Sequence, residues 1–127
     1  MTDKEKQLLL KDLCARLPFD VMGSEIYDNK VWGMPELLIS IDMETGRVSC
    51  SDSLPYSVER FKPYLRPMSS MTKEEKKDYD KLFTIHSDGD IYCENWEWSD
   101  FMNSHHFDYR GLIPKDLAIE APEGMYK

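Results

Sequence analysis

No apolar run in this chain approaches the roughly 20 residues that a membrane-spanning helix requires. Cysteine is scarce: Cys14, Cys50 and Cys93 are odd in number and far apart. Without a Cys-x-x-Cys pair, neither a zinc knuckle nor a redox dithiol is supported, and no disulfide framework is expected. Six glycines leave no glycine-rich phosphate loop. There is no Gly-x-Ser-x-Gly elbow and no His-Glu-x-x-His, so the common nucleophile and metalloprotease patterns are missing as well. A basic stripe is also lacking, which disfavours direct nucleic-acid binding, because such binding draws on counterion release by clustered Lys and Arg. The opening Met1–Gln7 has neither the basic start nor the apolar centre of a signal peptide. The expected compartment is therefore the cytoplasm, with no membrane association.

What the chain does contain is an ordinary globular composition, 41% apolar and 31% charged, in 127 residues. That length suits a single domain, 1–127, able to bury about two-thirds of its unfolded surface. The net charge of −8 is uneven: residues 84–127 hold nine acids against three bases, whereas residues 1–83 are nearly balanced. A soluble acidic protein is the simpler reading. An acidic DNA-mimic inhibitor, offering carboxylates to a basic partner, is the sharper one.

Thr2-Asp3-Lys4-Glu5 is a capping box. Leu9, Leu10, Leu13, Cys14 and Leu17 follow at helical spacing until Pro18, which predicts a helix over 3–16 with Cys14 on its buried face. Cys50 ends a predicted strand and is expected to be buried too. Residues 19–61 read as short strands: Phe19–Tyr27, a turn at Asp28-Asn29-Lys30, Val31–Met34, Glu36–Asp42, a hairpin turn at Glu44-Thr45-Gly46, and Arg47–Ser51. Tyr56–Phe61 is a further strand or a helical turn. Lys62–Pro67, with two prolines, reads as an extended linker. The C-terminal part, 72–113, is predicted helical. Thr72–Glu75 is a second capping box opening a helix near 73–83, with Tyr79, Leu82 and Phe83 inward. A turn at 87–90 precedes a helix near 95–105 that buries Trp98, Phe101, Met102 and His105. Leu117–Glu120 suggests an edge strand before a frayed tail. The expected class is α+β: a small antiparallel β-meander or SH3-like partial barrel flanked by about three helices.

Lys62-Pro63-Tyr64-Leu65-Arg66-Pro67-Met68-Ser69-Ser70-Met71-Thr72 and His105-His106-Phe107-Asp108-Tyr109-Arg110-Gly111-Leu112-Ile113 together resemble a group of small gut-bacterial proteins associated with phage or other mobile elements. Lys11–Pro18 is similar to the same group, while residues 19–58 match it poorly. The resemblance implies an accessory role in mobile DNA but carries no catalytic activity with it.

The densest chemistry lies in Tyr92–Tyr109, where six aromatics flank adjacent histidines. His105 and His106 are separated by about 100° on a helix and would not chelate one ion well. His106 with Asp108 could orient a proton-transfer group, and Arg110 beside Tyr109 could stack and clamp an acid or recognise an anion. Trp96 and Trp98 point opposite ways on a helix, so Trp98 is expected in the core and Trp96 exposed as a contact residue. His86, Asp88, Asp90 and Cys93 make only a weak metal loop, since the acid spacing of a calcium site is absent. No catalytic residue, metal or cofactor is assigned. Candidate binding residues are Trp96, His106, Asp108, Tyr109 and Arg110. The leading expectation is a non-enzymatic accessory protein that binds a protein partner. The alternatives are a small enzyme with a polar site at 105–110 and the acidic inhibitor.

Overall fold

The computed structural model describes residues 1–85 and 89–126. The first helix, α1 (Asp3–Arg16), starts on the expected capping box: the Thr2 hydroxyl accepts from the Glu5 amide and the Glu5 carboxylate accepts from the Thr2 amide. Its inward stripe is Leu9, Leu10, Asp12, Leu13 and Arg16, all buried. Cys14 is exposed, contrary to expectation. At 100° per residue the buried positions span an arc from Asp12, 60° to one side of Leu9, to Leu10, 100° to the other, and Cys14 at 140° falls outside it. The apolar character of Cys14 suggested burial, but helical phase decided the outcome. Cys50 is buried, as expected.

Six strands follow: β1 (Met22–Tyr27), β2 (Lys30–Val31), β3 (Glu36–Asp42), β4 (Arg47–Cys50), β5 (Tyr56–Ser57) and β6 (Phe61–Leu65). The main sheet runs β5-β4-β3-β1-β6 and ends on β9 (Ile119–Glu120), with β2 also paired to β1. The β1–β5 part is an antiparallel meander. β6 then crosses to the other side of β1, and β9 joins it in parallel, Tyr64 opposite Ile119. The class is α+β with a mixed, open sheet. It does not close into an SH3-like barrel, because its end strands, β5 and β9, are not paired to each other.

The expected linker at Lys62–Pro67 is instead largely strand β6, with a strand on each side. Its prolines suggested a spacer, but Pro63 fits this strand for a local reason. Leu65 turns its carbonyl toward β9, where it accepts from Ala121 N–H at 2.7 Å. Pro63, two residues earlier, turns its nitrogen the same way, and β9 begins only opposite Tyr64. Pro63 thus sits where the β6–β9 ladder starts, and its missing donor interrupts no bond within that ladder.

Facing Pro63 on β1 is Gly23. A Cβ there would lie 2.1 Å from the Phe61 ring, so the absence of a side chain lets that ring into the core. Asp28 and Asn29, both with left-handed φ (53° and 60°), form the two-residue turn between β1 and β2.

The second capping box also forms, opening α2 (Lys73–Lys81). Strands β7 (Thr84–Ile85) and β8 (Ile91–Tyr92) pair with each other, and α3 covers Asn95–Ser104. The expected turn at 87–90 and the His86/Asp88 loop include His86, Ser87 and Asp88, which lie outside the described residues. One core cluster joins α1 to the main sheet and to Leu112, Leu117 and Ala118. A second joins Phe101, Met102 and Phe107, with Tyr79, Leu82, Trp98 and Tyr109 packed on it. Burying an aliphatic or aromatic side chain of this kind contributes about 1.5–3 kcal/mol. No helix among the described residues is long and apolar enough to cross a membrane.

Candidate functional site

The two tryptophans of α3 separate as their spacing requires. Trp98 packs edge-on against Tyr109 and lies 3.3 Å from the Tyr79 hydroxyl, to which its indole N–H donates. Trp96 is 66% exposed, and Ile91 and Tyr92, five and four residues upstream, are exposed too. Glu94, Glu97 and Asp100 accompany Trp96, and among the described residues none of the three forms an ion pair.

The other end of α3 carries the histidines. His106 has φ 63°. Its amide donates to the Asn103 carbonyl and the Phe107 amide to the Met102 carbonyl. This is a Schellman closure with histidine at the position glycine usually takes, and Phe107 packs with Met102 as that motif favours. His105 is half-buried, within 2.9 Å of the Phe101 carbonyl through Nδ1 and stacked near Phe101 and Phe107. His106 is buried beneath Tyr126, with ring centroids 3.6 Å apart. Burial, then the nearby charges of Arg16 and Arg66, pull its pKa down to about 4. Its Nδ1 has no hydrogen-bond partner among the described residues.

Tyr126 overturns the expectation of a frayed tail. Its hydroxyl accepts from Met22 N–H (2.9 Å) and donates to the Tyr64 carbonyl (2.7 Å), pinning the C-terminal segment across β1 and β6. Burial pushes its phenol up to about 12.

Asp108 does not orient His106. Both of its oxygens accept backbone amides, from Leu112 (2.7 Å) and Ile113 (2.9 Å), and so hold the turn that runs through Gly111. Tyr109 donates to Asn103 at 3.0 Å. Arg110 stacks on Tyr109 and reaches Asp12 at 2.9 Å, so the clamp suggested by the sequence forms, but across the whole chain to α1.

Asp12 is therefore the centre of a group that residue-by-residue reading missed. Arg16 makes a bidentate contact to it at 2.7 and 3.1 Å, and also donates to the Phe107 carbonyl at 2.8 Å. Asp12 and Arg16 are both fully buried. The available signal was their phase: an acid and a base four apart on the apolar stripe of a capped helix. Breaking a buried pair by removing one member typically costs about 3–5 kcal/mol, because the remaining charge is stranded.

A parallel arrangement holds the end of β6. Arg66 grips Glu75 with both nitrogens (2.7 and 2.6 Å) over the Phe107 ring, and this contact lowers Glu75 to about 2. Arg66 N–H also donates to the His106 carbonyl, and its own carbonyl accepts from Asp108. Two open grooves of about 640 and 630 Å³ adjoin this pair and share Arg66, Glu75 and Tyr126. The first is lined by Glu74, Asp78, Glu120 and Glu123. Both histidines line the second. Among the described residues no group of three His, Cys, Asp or Glu is placed to hold a metal ion.

Of the five candidate residues, His106, Asp108, Tyr109 and Arg110 are thus brought together around the end of α3, with their polar groups directed into the fold. Trp96 stands apart at the helix start, facing solvent. In comparisons with known proteins, no family model, curated sequence or solved structure matches the chain.

Proposed function

We propose that this chain is a non-enzymatic interaction protein that binds a protein partner through the start of α3, with Trp96 as its anchor. The observation that carries the reading is the contrast within one helix: Trp98, Phe101 and Met102 are packed, while Trp96 is 66% exposed beside exposed Ile91 and Tyr92. An indole left in water next to an apolar strand suits the centre of a protein contact. Glu94, Glu97 and Asp100, which form no ion pair among the described residues, give that contact a negative rim. The bacterial cytosol and an accessory role in mobile DNA complete the proposal, drawn from the composition and from the resemblance of residues 62–72 and 105–113.

The catalytic alternative is less well supported. Asp108 is held by two amides, Arg110 by Asp12, and His106 is buried under Tyr126. The acidic-mimic reading loses carboxylates in the same way, since Asp108 is buried and Asp116 pairs with Lys62. A pull-down from bacterial lysate, comparing wild type with Trp96→Ala, tests the proposal once circular dichroism has shown both to be folded. A specific protein retained by wild type and lost by the variant is the expected result. Equal retention by the two, or nothing retained by either, overturns it.

A further inference from the structure

The β1–β2 hairpin carries a second exposed apolar surface, unrelated to Trp96. Tyr27, Val31, Trp32 and Met34 are 62, 52, 72 and 81% exposed. Tyr27 and Trp32 contact each other on one face, with ring centroids 5.8 Å apart. We propose that this hairpin edge pairs with the same edge of a second copy of the chain, forming a two-fold dimer.

The backbone provides the first reason. Tyr27 pairs with Lys30 across the two-residue turn, Ile26 pairs with Val31, and Trp32 N–H donates to the Glu25 carbonyl at 2.9 Å. In such a hairpin the residues flanking the turn and every second pair beyond it exchange hydrogen bonds. Lys30 and Trp32 therefore turn their amides inward to β1, and Val31 turns its N–H and C=O outward. Among the described residues no strand lies on that side of β2. An apolar strand edge left open in this way is a template for another strand.

Side chains and charge select the occupant. An antiparallel two-fold centred on Val31 joins the two Val31 backbones by a pair of N–H···O=C bonds. It places Lys30 opposite Trp32 of the partner subunit, in the closer, non-hydrogen-bonded type of pair. The ammonium can then lie over the indole, once in each direction. Residues 26–35 carry only Asp28 and Lys30, so they are neutral in a chain of net charge −8. A second copy can approach here without the repulsion it would meet at the acidic 84–127 part, while an anionic membrane or polyanion gains nothing from the surface. The ladder is also self-limiting. Asn29 is left-handed on one side, and Pro35 lacks an N–H on the other, so pairing ends as a closed dimer instead of spreading.

The contact is small. Two largely exposed aromatics with Val31 and Met34 offer roughly 500 Å² per chain, which places it among weak, transient associations. Sedimentation velocity of the full chain, from about 5 to 500 µM, is expected to show a reversible dimer with Kd on the order of 100 µM. Val31→Pro removes the outward donor without touching a bond inside the hairpin, and Trp32→Lys replaces the indole with a like charge. Each is expected to weaken the dimer at least about tenfold while keeping the wild-type Tm. Trp32→Lys decides the matter should Val31→Pro fail to fold. Trp96→Ala is expected to leave the dimer unchanged. A chain monomeric throughout the range, a dimer indifferent to Trp32→Lys, or one abolished by Trp96→Ala overturns the proposal.

Discussion

His106 combines three properties that rarely coincide: a left-handed backbone, burial against another ring, and two neighbouring arginines. Its folded pKa of about 4 lies below the ordinary 6.5, so the unfolded chain binds the proton first. Stability from this group is complete above pH 6.5 and is lost progressively as pH falls toward 4. Glu75, held near 2 by Arg66, adds a separate loss between about 4.5 and 2. His106→Gln is expected to flatten the dependence of Tm on pH between 6.5 and 4 and to leave the steeper acid limb intact. Thermal melts in a constant-ionic-strength pH series measure this, and an unchanged slope from 6.5 to 4 would assign that window to other groups. At this scale the sequence was partly legible. The opposed tryptophans and the Arg110 clamp followed from helical geometry and charge. Cys14 and Asp12 did not, because there residue type and helical phase point opposite ways, and phase decides burial. His106 and Asp108 stand two apart and look like partners, but the left-handed turn after α3 sends their side chains to different tasks.

Among the elements, both capped helices and the β3–β4 hairpin were readable, since each is specified by its own few residues. Strand β6 was not. A proline-rich stretch reads as a spacer unless it is known that the strand beside it starts one residue later, and that neighbour lies more than 50 residues away in sequence. The same strand explains Gly23. Gly23→Ala would drive a methyl group into the Phe61 ring, and such overpacking costs about 1–3 kcal/mol. Gly33→Ala meets nothing within 4 Å and is expected to stay within about 0.5 kcal/mol of wild type. Urea denaturation of the two variants side by side checks the contrast. Equal midpoints would mean that the Phe61 ring can move aside at no cost.

For the molecule as a whole, the α+β class was legible from the alternation of patterns, but the closure was not. A barrel was a fair expectation for sequential short strands. The sheet stays open because β6 returns on the far side of β1 and β9 joins it from the end of the chain. The tail then fastens this arrangement through one hydroxyl that accepts from β1 and donates to β6. Tyr126→Phe keeps the ring over His106 but leaves the Met22 amide and the Tyr64 carbonyl without that partner. A loss of about 1–3 kcal/mol is expected in urea or thermal unfolding, and no loss would mean that water replaces the hydroxyl.

The clamp from Arg110 to Asp12 has a consequence for the order of events in synthesis. Helix α1 leaves the ribosome long before residues 107–110, yet its buried face carries an acid and a base whose remaining partners are Arg110 and the Phe107 carbonyl. Until those residues have been translated, α1 can form as a capped helix but cannot bury that face without stranding charge. An element made early is thus sealed late, since the face of α1 that carries Asp12 and Arg16 can be buried only once residues 107–110 have emerged.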